Sequence, residues 1–187
     1  MKKLSLKPGT MLYPVPPVMV SLGDMDNANI ITIAWTGIIC TNPAMTYISV
    51  RKERFSYPIL KEKQEFVINL APAHLAKAVD FCGVKSGKNT DKFKECKLTK
   101  IPATEIDAPM IEECPVNIEC RLTEIKELGS HDMFIAEIVS VNIDEKYLTE
   151  SGKLDLEACN LLAYSHGEYF ELGKSLGKFG FSVKKKK

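Results

Sequence analysis

The sequence predicts a mainly β protein, an antiparallel barrel that is closed or nearly so, with helices inserted between its strands. Three observations predict it. The first seventy residues carry four short runs rich in β-branched and aromatic residues, each bounded by turn residues. The run 116–128 is followed by Gly129-Ser130 and a second long run, 131–144, which is the pattern of a long hairpin. The helical signals follow the third and fourth runs instead of alternating regularly with strands, which argues against a parallel sheet.

The elements follow in order. PVMVSLG (17–23) and NIITIAWTG (29–37) read as strands joined by a turn at Asp24 to Asn27. Thr41-Asn42-Pro43 then leads into MTYISVR (45–51). Ser56 is a candidate N-cap for a helix with Pro58 in its first turn and Ile59 and Leu60 facing inward. EFVINL (65–70) is the fourth strand. A second helix is expected from Pro72 to about Cys82, closed by Gly83. The polar loop KSGKNT (85–90) precedes a short helical DKFKEC. In VNIECRLTEIKEL (116–128), Val116, Ile118, Cys120 and Leu122 alternate and the phase then shifts at Ile125, which predicts a bulge or strong bend. The stretch from Leu161 is aromatic and glycine-rich.

With 187 residues, 45% hydrophobic and 26% charged, the chain reads as one domain spanning 1–187, of ordinary globular composition. A net charge of +1 gives no global attraction to nucleic acid or to a membrane. No run approaches the roughly 20 apolar residues of a membrane span. MKKLSLKPGT lacks the apolar segment of a signal peptide, so a cytoplasmic location is expected. The six cysteines then read as reduced thiols, without the spacing of metal ligands. Lys184 to Lys187 read as a solvated tail.

The motifs of serine hydrolases, zinc proteases and P-loop proteins are absent, and Gly173, Gly177 and Gly180 follow no strand, so they are no dinucleotide fingerprint. The three histidines are too scattered to pair with a nucleophile. In NANIITIAWTG, period two sends Ile31, Ile33 and Trp35 one way and Ile30, Thr32 and Ala34 the other. The second face is narrow and carries a hydroxyl, which suits either core packing or the floor of a site for something flat.

N-x-x-T-x-A-W-T-G, followed by NPAMTYISVRKERFSYPILKEKQEFVINL, FCGVKSGKNTDKF, the hairpin with His131 and LLAYSHGEYFELGKSLGKFGFS, resembles the flavin reductase-like family, and within it the flavoredoxin branch. The resemblance runs in order over nearly the whole chain. It implies an FMN-binding split β-barrel of Greek-key type and a homodimer holding FMN non-covalently near the subunit interface. It also implies transfer of hydride or electrons between flavin and a donor, either NAD(P)H or a redox protein. Carried over by position, it implies flavin contacts at Asn29, Thr32, Trp35, Ser49, Val50, Arg51, Ser56, Lys92, His131 and Tyr164. Ser56 stands where relatives often have Thr, and Tyr164 where Phe also occurs.

The chemistry of FMN suits these residue types. Arg51 and Arg54 ahead of a helix start at Ser56 can meet a phosphate, with Lys92 adding charge. Flavin itself carries the redox chemistry, so no protein acid or base is required, and His131 or a lysine is a candidate cation for tuning the reduced flavin. Strand parity sets Trp35 opposite Thr32. A bend at the strand end, or a contact with a partner subunit's flavin, would resolve the conflict. The alternatives that rank lower are a pyridoxamine phosphate oxidase-like enzyme of the same fold and a non-catalytic β-barrel binding module.

Overall fold

A computed structural model describes residues 1–183; the run Lys184 to Lys187, expected to be a solvated tail, lies outside the described residues. The strands β1 (Val18–Leu22), β2 (Asn29–Ile33), β3 (Thr36–Cys40) and β4 (Met45–Val50) precede helix α1 (Ser56–Lys63). Strand β5 (Glu65–Leu70) leads to a 3₁₀ turn at Ala73–Leu75 and to helices α2 (Ala76–Val84) and α3 (Lys92–Cys96). The two-residue strands β6 (Lys100–Ile101) and β7 (Met110–Ile111) pair with each other ahead of the long hairpin β8 (Val116–Glu127) and β9 (Asp132–Ile143). A small hairpin, β10 (Leu162–Ser165) and β11 (Glu168–Glu171), completes the order.

Seven strands form one antiparallel sheet in the order β2-β1-β5-β8-β9-β4-β3. Its two edges, β2 and β3, are consecutive in the chain and separated only by Ala34 and Trp35. The expected single strand 29–37 is therefore broken at these two residues. β2, before the break, pairs with β1, and β3, which runs to Cys40 beyond the expected end at Gly37, pairs with β4, so one bent segment closes the sheet on itself. The Ser49 amide donates to the Trp35 carbonyl at 2.8 Å across the seam. The two edges that remain, β2 and β3, are only five residues each.

The side-chain period explains the two apolar layers. Val18, Val20 and Leu22 of β1 join Ile31, Ile33, Phe66 and Phe134 inside the barrel. Met19 and Ile30 point outward into a second cluster with Val79 and Cys82 of α2 and Phe93 of α3. β1 is therefore buried on both faces. The phase shift in β8 appears as a bulge at Thr123, where Leu122 faces Ala136 and Glu124 faces Ile135. β9 answers with a bulge at Val139, so the hairpin bends over the barrel.

Two helix ends differ from expectation. Ser56 is not an N-cap: Phe55 holds that position in helical conformation, and Ser56 is a buried first residue of α1. The left-handed Gln64 ends α1, its N–H donating to the Leu60 carbonyl at 3.0 Å. Gly83 does not close the second helix but lies within it, where a Cβ would meet Thr32 Cβ at 3.3 Å. Its small size admits close packing of α2 on β2. Among the described residues no helix is long and apolar enough to cross a membrane.

The turn of the long hairpin is tied to α1 by Asp132, whose side chain is fully buried. It accepts from Tyr57 Oη at 2.6 Å and from the Leu128 amide at 3.2 Å, with Lys52 Nζ at 3.4 Å. The Tyr57 bond, followed by the Leu128 amide and Lys52, holds its carboxyl below the usual range against the opposing effect of burial. Tyr57→Phe is expected to cost about 1.5–3 kcal/mol, the worth of a hydrogen bond to a charged group. The check is a lower urea midpoint with an unchanged slope.

Candidate functional site

A groove with about 360 Å³ of interior space opens where β2 bends into β3. One wall is the bend itself, with Thr32, Ala34 and Trp35. Ser49, Val50 and Arg51 at the end of β4, together with His131 ahead of β9, form a second wall. Gly83 and Val84 of α2 and the β10–β11 hairpin, through Tyr164 and Tyr169, complete it. A smaller pocket of about 220 Å³ adjoins it, sharing Ile31, Arg54 and Val84, and is lined further by Ser56, Lys85, Ser86, Gly87 and Lys92.

The fold gathers the ten residues singled out from the sequence into this double groove. Seven line the larger part: Thr32, Trp35, Ser49, Val50, Arg51, His131 and Tyr164. Ser56 and Lys92 line the smaller part. Asn29 stands behind it, 6% exposed, its amide donating to Ser56 Oγ at 2.9 Å. Thr32 and Trp35 share the groove despite strand parity because the strand bends between them. The narrow face of β2 is not an open floor, however. Helix α2 covers it, and the Thr32 hydroxyl donates to the Val79 carbonyl at 2.5 Å. Val50 sends its side chain into the barrel core, so only its backbone is available to a ligand.

The two ends of the groove differ in chemistry. The larger end is aromatic. Tyr13 meets Trp35 edge-on at 6.4 Å and Tyr164 at 6.2 Å, and Tyr164 meets Tyr169 at 5.4 Å. His131 lies nearly parallel to Trp35 at 6.5 Å. Desolvation, followed by the positive charge of Arg51, lowers the pKa of the His131 imidazole, while Glu53 opposes them. Arg51, paired with Glu53 at 2.6 Å, carries the permanent charge there.

The smaller end is cationic. Arg54 donates to the Gly83 carbonyl and borders both parts. Lys92 is 3% exposed, its ammonium donating to the carbonyls of Ile30 at 2.6 Å and Cys82 at 2.9 Å. Desolvation is the main reason its pKa falls to about 8, and the charge of Arg54 adds to it. A third N–H of this ammonium remains for a ligand. Such a buried cation beside an arginine and a hydroxyl suits a phosphate.

Sequence reasoning missed Tyr169 and Gly87. Tyr169 faces Tyr164 across the two-residue turn His166-Gly167, both at positive φ, and aromatic residues flanking such a turn are a readable hairpin signal. Gly87 had no such signal. A Cβ on it would lie 2.2 Å from Asn29 Oδ1. Gly87→Ala is therefore expected to displace Asn29 from Ser56 and to cost about 1–3 kcal/mol through overpacking. Gly173→Ala, which meets nothing within 4 Å, is the control that leaves thermal unfolding unchanged.

Comparison with known proteins follows the same outline. A family model described as "Flavin reductase like domain" matches residues 10–173. The flavoredoxin of Desulfovibrio vulgaris (Miyazaki F) superposes with a TM-score of 0.91 at 33% identity, over 98% of this chain and 100% of that one. A flavoredoxin from Methanosarcina acetivorans gives 0.88 at 27% identity, again over 98% and 100%. An FMN-binding protein from Thermus thermophilus, solved with bound 1-cyclohex-2-enone, gives 0.79 at 22% identity over 95% and 98%.

Proposed function

The chain belongs to the flavin reductase-like family, on its flavoredoxin branch, and from that premise we propose that it binds FMN non-covalently in the double groove and passes hydride or electrons between a reduced donor and that flavin. The fold is a split barrel, and the family carries flavin-related redox chemistry and a flavin cofactor. One observation supports FMN in particular: an aromatic groove runs into a pocket lined by three cations, Arg54, Lys85 and Lys92, and by the hydroxyls of Ser56 and Ser86. A ring system fits the first part and a phosphate the second.

Each residue then has a task. Arg54, Lys92 and Ser56 would hold the phosphate, with Asn29 orienting Ser56. Trp35, Tyr164 and Tyr169 would enclose the ring and limit access of water. The backbone at Val50 and Arg51 would meet its polar edge, with the Arg51 charge nearby. Bound flavin supplies the electron chemistry, and the protein binds, orients and tunes it. His131 contributes a polar wall.

The donor is NAD(P)H or a redox protein, and the assembly is a homodimer. Apolar side chains left in the open support the dimer: Ile38 on β3 is 87% exposed, Leu12 90% and Leu176 91%.

The test is the visible spectrum of the purified protein, followed by anaerobic titration with NADH and NADPH. Flavin bands that bleach with either nucleotide support a nicotinamide-dependent FMN reductase. Bands that persist with both and bleach with dithionite support an electron carrier with a protein donor. A colourless protein that takes up no added FMN refutes the reading.

A further inference from the structure

Two thiols stand together outside the groove. Cys82 Sγ on α2 and Cys96 Sγ on α3 lie 3.9 Å apart, both free. Cys82 is fully buried, whereas Cys96 is half-buried and opens onto a separate cleft of about 320 Å³. Leu75, Ala78 and Phe81 give this cleft apolar walls, and His74, Lys77 and Glu95 give it a polar rim. Neither part of the groove described above is lined by Cys96. A buried pair with one member facing solvent is the geometry of an attacking and a resolving thiol. A shift of roughly 2 Å brings the sulfurs to bonding distance.

We propose that Cys82 and Cys96 are a second redox site, a dithiol that a low-molecular-weight disulfide entering this cleft oxidises to an intramolecular disulfide. The Cys96 thiolate attacks one sulfur of the incoming disulfide, forming a mixed disulfide and releasing one small thiol. The Cys82 thiol loses its proton and attacks Cys96 Sγ, forming the protein disulfide and releasing the second small thiol. Two protein thiols are oxidised and one external disulfide is reduced to two thiols. Lys92 is the nearby cation: its charge favours both thiolates, and its ammonium bonds the Cys82 carbonyl. Burial opposes it by raising both thiols, which makes this a slow exchange rather than a fast peroxide sensor. The other cysteines have no such partner among the described residues. Cys114, Cys120 and Cys159 are buried, and the Cys40 thiol donates to the Asn42 carbonyl at 3.5 Å.

The test incubates the reduced full-length protein anaerobically with glutathione buffers of rising oxidised fraction, quenches with acid, alkylates and maps the peptides by mass. The expected product is two hydrogens lighter, joins the Cys82 and Cys96 peptides, and returns to the dithiol with dithiothreitol. Cys82→Ala is expected to stop at a mixed disulfide on Cys96, and Cys96→Ser to give no modification at either position. If the wild-type protein keeps both thiols alkylatable, forms a disulfide between other cysteines, or stops at the mixed disulfide on Cys96, the proposal is overturned. The wild-type map needs no variant, so a variant that fails to fold does not blunt it.

Discussion

Glu119→Ala is expected to lower the unfolding free energy by about 3 kcal/mol, from the loss of charge-assisted hydrogen bonds worth about 1.5–3 kcal/mol each, partly offset by rehydration of their donors. Glu119 is fully buried on β8. Its carboxylate accepts from the amides of Thr104 and Glu105 at 2.8 and 2.7 Å and from Asn142 Nδ2 at 2.6 Å. It thereby pins the loop that lays Ile106, Ala108 and Met110 over Val67. Burial raises the pKa of this carboxyl, but the three donors together outweigh it, and the folded value lies below the ordinary one. The sign follows: the stabilisation is fully present above the unfolded value of ~4.3 and is lost as pH falls through the folded value. Urea unfolding of wild type and variant at pH 7 and below pH ~4 checks this, because the gap between them must narrow in acid. A gap independent of pH assigns the loss to volume rather than charge.

The same residue illustrates what a sequence withholds. Glu119 interrupts the apolar series of a strand at an outward position, where a glutamate ordinarily meets water. Only the loop folded over β8 turns it into a buried anchor. The strands β1, β2, β4, β5, β8 and β9 were legible because each carries its own signal: Phe66 and Ile68 alternate, and the phase shift at Ile125 locates the Thr123 bulge. β3 past Gly37 and the short β6 and β7 carry too little pattern to be read, and the short β10 and β11 were missed. Sheet closure was not legible either, because nothing local in NIITIAWTG marks the break at Ala34-Trp35. Two competing pairings, with β1 and with β4, impose that break, and pairing is non-local.

The site divides in the same way. Asn29, Thr32 and Trp35 were readable as a motif, and Arg54 and Ser56 as a charge run meeting a helix start. Their roles changed on folding. The Ser56 hydroxyl is not a cap and is therefore available to the pocket, while the Thr32 hydroxyl is spent on α2. Lys92 looked like one of several loop cations. It is the buried one, because α3 turns it beneath β2.

Lys92→Met is expected to weaken FMN binding roughly 10- to 150-fold, the equivalent of a charge-assisted contact of about 1.5–3 kcal/mol. Methionine keeps most of the stem and removes the charge, so the carbonyls of Ile30 and Cys82 lose a partner as well. Riboflavin separates the two effects because it has the ring without the phosphate. If the ammonium meets the phosphate, the variant loses affinity for FMN and keeps that for riboflavin. The pH dependence is an independent check. With a pKa of about 8 in the free protein, the ammonium loses its charge near the working range, whereas FMN phosphate is already a dianion above pH ~6. A phosphate favours the protonated lysine, so wild-type affinity for FMN must fall as pH rises through about 8, by up to roughly tenfold per pH unit. Riboflavin binding, and FMN binding by the variant, must lack that fall. If Lys92→Met weakens both flavins equally and the pH profile is flat, the lysine acts by tying α3 to β2, and Arg54 with Ser56 holds the phosphate.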